Sequence, residues 1–265
     1  MRRITQQTNI GLKEARLKHE PSRKQEMESK KNITNDIVTD YINEFYMPLS
    51  PELGILRGAA EADGVPIILK ETEAFLRTFV GILKPKRILE IGTAVGYSAA
   101  FFNKACGAEV VTIEKNPEMA AVAWMNIKKL GCEDSIEILR GDGETAIQSL
   151  KEMKNAGVAD PFAPTAMKKS ADIVKEFDFL FIDAAKSHYK RFLDAALPLM
   201  SKDAVIVCDN VLFQGKTASD IYDQLGKHRT NIRHMREFLD YISTDERFET
   251  SIIAVGDGLS ITRLK

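Results

Sequence analysis

The sequence predicts an α/β fold: a seven-stranded, mostly parallel sheet with helices on both faces and an antiparallel hairpin at its C-terminal end. Three observations lead there. Short apolar runs alternate with helical stretches from Arg87 to Cys208, the signature of βαβ units. A glycine-rich turn follows the first of these runs. The chain then closes on two short strand-like segments around Gly256-Asp257-Gly258, which read as a hairpin with a tight turn.

Taken in order, residues 1–31 carry nine Lys/Arg against four Glu, so this segment holds +5 and the rest of the chain −6. It has no sustained apolar periodicity and reads as a basic, mobile N-terminal arm ahead of a domain spanning 32–265. Helices are predicted at 34–46, at 51–63 and at 71–83. The second opens on Ser50 as N-cap with Pro51 at the first helical position. Strands follow at Arg87–Ile91, Val110–Ile113, Ile136–Leu139, Phe177–Ile182 and Ala204–Cys208. Between them lie helices at Tyr97–Cys106, Pro117–Leu130 (capped by Asn116), Glu144–Met153 and Tyr189–Met200. Residues 154–172, with Pro161 and Pro164, read as a loop. The hairpin strands are expected at Ser251–Val255 and Leu259–Leu264.

The composition excludes several classes. No run of eighteen apolar residues exists, so no transmembrane helix is expected, and no apolar stretch follows Arg2 and Arg3 as a secretory signal requires. Cys106, Cys132 and Cys208 are scattered and odd in number. They form neither a disulfide framework nor a zinc motif, which points to a reducing cytoplasm.

The glycine-rich turn, Leu89-Glu90-Ile91-Gly92-Thr93-Ala94-Val95-Gly96-Tyr97-Ser98, admits two readings. A dinucleotide site wants G-x-G-x-x-G, but from Gly92 onward Ala94 and Tyr97 stand where the second and third glycines belong. A methyl-donor cofactor carries no pyrophosphate and needs only close approach of backbone to its amino-acid end and ribose. Glu114 ends the second strand, where a carboxylate accepts both ribose hydroxyls. Asp142, in Arg140-Gly141-Asp142-Gly143, ends the third, placed to meet an adenine amino group. Any one of these acids alone reads as a cap or loop residue; three features at successive strand ends favour the methyl donor.

Asp183 ends the fourth strand, and Asp209 with Asn210 ends the fifth. Neighbouring parallel strands lie about 4.8 Å apart, so three oxygen donors can converge above the sheet. Singly, such residues are ordinary turn formers. Together, two carboxylates and an amide without His or Cys suit a hard cation such as Mg²⁺ or Mn²⁺. Such an ion binds two adjacent substrate oxygens and makes a hydroxyl more nucleophilic. Lys186, three residues past Asp183, is positioned as a general base or to steady the oxyanion; otherwise it is a surface lysine opening the next helix. The basic stretch Lys227–Arg236 is either a solvated helix face or a phosphate-binding surface.

Read together, these segments resemble the metal-dependent class I O-methyltransferases of the catechol and caffeoyl-CoA type, with their Rossmann-like sheet, over about residues 34–265. They resemble more closely still the bacterial tRNA 5-hydroxyuridine methyltransferases. VPII at 65–68, LEIGTAVGYSA at 89–99, FIDAAK at 181–186, DNVLFQG at 209–215 and VGDGLSI at 255–261 carry that match. The resemblance implies methyl transfer from S-adenosylmethionine to 5-hydroxyuridine at the tRNA wobble position. A small-molecule activity on catechols or caffeoyl-CoA-like thioesters is the alternative. It implies cofactor contacts at Ile68, Glu90, Gly92, Ser98, Glu114, Asp142, Gly143 and Asp183, and metal ligation by Asp183, Asp209 and Asn210. The implied partners are a tRNA anticodon loop and a second copy of the chain, with no role for DNA or membrane. The long basic arm and the loop at 154–172 depart from the relatives' pattern.

Overall fold

The computed structural model describes residues 35–156 and 176–265. The expected arm at 1–31 and all but the first three residues of the expected loop at 154–172 lie outside the described residues. Those three residues, Lys154 to Ala156, complete a helix instead.

Among the described residues three helices come first. α1 (Asp36–Asn43) is capped by Asn35, whose side chain accepts from Ile37 N. α2 (Pro51–Ala62) is capped by Ser50, which accepts from Leu53 N, as the Ser-Pro pair predicts. α3 (Lys70–Leu83) ends on Lys84 in the left-handed conformation. The alternating part is β1 (Arg87–Ile91), α4 (Tyr97–Cys106), β2 (Glu109–Glu114), α5 (Pro117–Lys129), β3 (Ile136–Arg140), α6 (Gly143–Ala156), β4 (Phe177–Ile182), α7 (Tyr189–Ala196) and β5 (Met200–Cys208). The chain closes with α8 (Arg229–Thr244), β6 (Phe248–Ile253) and β7 (Leu259–Leu264).

The seven strands run in the order β3-β2-β1-β4-β5-β7-β6. β1 to β5 are parallel, and β7 inserts antiparallel between β5 and β6. Strand alternation divides the core between the two faces. Leu89, Ile91, Val111, Ile113, Leu180 and Ile182 pack with α6, α7 and α8. Ile88, Val110, Phe179, Phe181 and Val207 pack with α2, α3, α4 and α5. A slip of one residue in any of these strands would exchange its two sets, so both buried faces specify the register.

Several boundaries differ from the expectation, and two of the shifts have a plain physical reason. The helix expected over Tyr189–Met200 stops at Ala196. Pro198 lacks an amide hydrogen, the chain tightens to a 3₁₀ turn over Leu197–Leu199, and Met200 already pairs with Phe177. β6 begins at Phe248, whose side chain packs against α8, three residues before the expected Ser251. Among the described residues no helix is long and apolar enough to cross a membrane.

Candidate active site

The C-terminal ends of the five parallel strands form one edge, where ligands bind in open α/β sheets. Backbone hydrogen bonds join these ends: Gly141 N to Glu114 O, Gly92 N to Ile113 O, Asp183 N to Ile91 O and Asp209 N to Ile182 O, all 2.9–3.0 Å. The turn after β1 is held closest. Gly92 has φ 105°, and a Cβ there would stand 2.0 Å from the carbonyl oxygen of Asp183. Only glycine lets these two strand ends meet.

The expected cofactor residues mostly gather around this turn. Glu90 is fully buried in β1, with Thr112 donating to its Oε2 and the Ser98 hydroxyl close enough to favour its charged form. Its Oε1 has no partner. Burial dominates, and the carboxyl is pushed up to about 7. Glu114 is aimed by two backbone donors, Ala94 N at 2.9 Å and Asn116 N at 2.8 Å. The first of these bonds holds Ala94 at φ 45°. Gly143 opens α6, where a Cβ would meet the Phe192 ring at 2.6 Å, so its smallness serves packing as well. Asp142 stands at the edge: one oxygen caps α6 through Glu144 N at 3.2 Å, and the other lies 3.7 Å from Lys115 Nζ. Ile68 is buried, its carbonyl accepting from Arg57 Nη2 at 3.0 Å.

The state of Glu90 has a measurable consequence. Its carboxyl titrates near 4.5 when unfolded and near 7 when folded. Folding therefore favours the protonated acid, and stability falls as pH rises between those values. Glu90→Gln removes this penalty, so it should stabilise the ligand-free protein by about 3 kcal/mol at pH 8 and little at pH 4.5. Urea unfolding at both pH values measures it; a gain independent of pH would mean that burial does not raise the Glu90 carboxyl.

Asp183, Asp209 and Asn210 meet at the neighbouring β4 and β5 ends. Asp209 is buried, with Oδ1 accepting from Asn210 N at 2.6 Å and Oδ2 unpartnered. Burial first, then the negative charge of Asp183, holds its carboxyl well above the usual range. Burial also raises Asp183, against the pull of Lys186. Lys186 offsets the two crowded carboxyls only in part, since both stay raised and one buried Asp209 oxygen stays open. An all-oxygen set of this kind fits a hard divalent cation. Asn210 adopts φ 55° and accepts from Lys186 Nζ at 3.4 Å. Lys186 also lies 5.4 Å from the Phe213 ring centre. These are the contacts of an ammonium donor.

Several residues here were not singled out from the sequence. Tyr189 OH donates to Asp209 O at 2.8 Å beneath the site. Arg57, Glu73, Tyr46 and Tyr97 form a polar network, largely buried, behind Ile68, with Tyr97 OH donating to Glu73 at 2.6 Å. No spacing in the sequence marks these contacts, because their partners lie on different elements. Asp257 was visible only as a turn residue, yet it supports the loop after β5. The basic stretch is less free than its composition suggests. Lys227, Arg229 and Arg233 are exposed, but Arg236 donates to Thr217 O and Asp220, both at 2.8 Å, and Arg233 lies 3.7 Å from Glu237.

A family model described as O-methyltransferase matches residues 61–265. A caffeoyl-CoA O-methyltransferase of Populus kitakamiensis is 29% identical over 209 residues, 78% of this chain and 80% of that protein. A catechol O-methyltransferase of Mycobacterium tuberculosis is 30% identical over 186 residues, 68% of this chain and 74% of that protein. Among solved structures, an O-methyltransferase from Bacillus cereus in complex with SAH superposes with a TM-score of 0.67 at 25% identity. It covers 86% of this chain and 97% of that one. The chain belongs to the O-methyltransferase family, in the group of caffeoyl-CoA and catechol type enzymes.

Proposed function

We propose that the protein transfers the methyl group of S-adenosylmethionine to one of two adjacent oxygens on a planar acceptor of the catechol or caffeoyl-CoA kind. A divalent cation held by Asp183, Asp209 and Asn210 would assist. The observation that carries the reading is the unpartnered, buried Asp209 Oδ2 beside Asp183 at the sheet's C-terminal edge. The relatives' names support the acceptor class, and the SAH-bound neighbour supports the donor.

When bound, the cation supplies Lewis acidity to the acceptor's hydroxyl, and the cofactor supplies a methyl on a sulfonium. The chain's own residues do the positioning. Glu90, Ser98 and the Glu114 carboxylate orient the donor, with Gly92 admitting it close to the backbone. Lys186 Nζ, already a donor to Asn210, is placed to hold the developing oxyanion. The acceptor's hydroxyl would give its proton to solvent, and the oxygen–methyl bond would form as the sulfur–methyl bond breaks, leaving the neutral thioether S-adenosylhomocysteine; alignment of the two supplies much of the rate.

A second reading, 5-hydroxyuridine at the tRNA wobble position, keeps the same site, since that base also carries two adjacent oxygens. The exposed Lys227, Arg229 and Arg233 favour it. They lie where α8 begins, beside the Asn210–Lys216 loop, because His228 packs edge-on against Phe213 at 5.0 Å. The decisive assay supplies the purified protein, S-adenosylmethionine and Mg²⁺ with catechol, caffeoyl-CoA or 5-hydroxyuridine-containing tRNA. Methylated catechol or thioester is expected. Transfer to tRNA alone, seen as 5-methoxyuridine by nucleoside mass spectrometry, would replace the first reading by the second.

A further inference from the structure

The loop that carries Asn210 has a shape that the residues within it do not favour. Asn210, Phe213 and Gln214 have φ of 55°, 47° and 54°, and Gly215 follows at 78°. Glycine suits this left-handed region and asparagine tolerates it, but the side chains of Phe213 and Gln214 disfavour it. Something outside the loop must hold it.

The turn between β6 and β7 meets it along its length. Val211 N donates to Gly258 O and Leu212 N to Asp257 O, both at 3.0 Å. The Asp257 side chain then accepts from Gln214 N. A Cβ on Gly258 would stand 2.5 Å from the Leu212 side chain, so the turn packs on that side chain as closely as glycine permits. On its other side the turn abuts α3 and the segment before it: a Cβ on Gly256 would meet Thr72 Oγ1 at 2.2 Å and Leu69 at 3.4 Å. Asp257 is buried, and burial raises its carboxyl while the bond from Gln214 opposes that.

We infer that Asp257 is a positioning residue for the cation: by holding Gln214 N it fixes the left-handed loop that brings Asn210 to Asp183 and Asp209. The inference rests on the proposed cation site, so its test reads cation binding and not turnover.

The experiment titrates Mn²⁺ into the protein and follows the free ion by electron paramagnetic resonance. Asp257→Ala should weaken Mn²⁺ affinity on the order of ten- to a hundredfold, the fold-change of a lost charged hydrogen bond. Asp257→Asn keeps an oxygen for Gln214 N and should stay within about threefold of wild type. Affinity for S-adenosylhomocysteine, measured by calorimetry, should be unchanged in both variants. Wild-type Mn²⁺ affinity in Asp257→Ala overturns the inference, as does an equal loss in Asp257→Asn, which would point to charge in place of the tether. Loss of S-adenosylhomocysteine binding in Asp257→Ala also overturns it, because the turn would then serve the fold at large. Absence of Mn²⁺ binding by the wild type, with Asp209→Ala indistinguishable from it, removes the cation site itself.

Discussion

Asp209→Ala is expected to reduce methyl transfer by roughly 10³-fold or more, since Lewis-acid assistance supplies several kcal/mol and each 1.36 kcal/mol is a factor of ten. Binding of S-adenosylhomocysteine should persist, because none of the expected cofactor residues lies on β5. Chelation with EDTA should inactivate the wild type, and Mg²⁺ or Mn²⁺ should restore it. The isosteric Asp209→Asn carries an opposite stability effect. In the metal-free protein the buried Asp209 carboxyl has an oxygen without a partner and a like-charged neighbour in Asp183. Its folded-state titration is raised, so the stability it allows is present at low pH and lost as pH rises. The asparagine variant should therefore melt higher than wild type in EDTA at pH 8, with the gap closing toward acid. Stability gained where activity is lost marks a residue kept for chemistry. Full wild-type activity in excess chelator would remove the cation from the mechanism.

Glu114→Ala should weaken S-adenosylhomocysteine binding by 2–4 kcal/mol, about 30- to 1000-fold, from loss of two charged hydrogen bonds to the ribose. The structure adds a second reason. Glu114 Oε2 accepts from Ala94 N, so the truncation also frees the left-handed residue of the β1–α4 turn. Glu114→Gln separates the two contributions: it retains an oxygen for Ala94 N but loses the charge, and about tenfold weakening is expected. Calorimetric titration of both variants reads the split. An unchanged dissociation constant in Glu114→Ala would reduce the residue to a strand-end tether.

The sequence by itself determined the sheet and most of the strand-end residues. Burial on both faces forces continuous apolar runs such as Phe179–Ile182, and the caps Ser50 and Asn116 are local in sequence, so both are legible without coordinates. The placement of Gly92, Glu114, Asp183 and Asp209 follows from a general property of parallel sheets: successive strands end at one edge. Contacts between elements far apart in the chain were not legible. Tyr97 reads as an awkward residue in a tight turn, yet its hydroxyl finds Glu73 on α3 and Arg57 on α2. Arg236 reads as a free cation and is held by Asp220 and the Thr217 carbonyl. Asp257 reads as a turn former, while its carboxylate meets Gln214 from 43 positions away. A local pattern reports only what neighbours in the chain share. Which polar group partners a buried side chain depends on how the helices and the terminal hairpin pack around the sheet, and only the tertiary structure decided that.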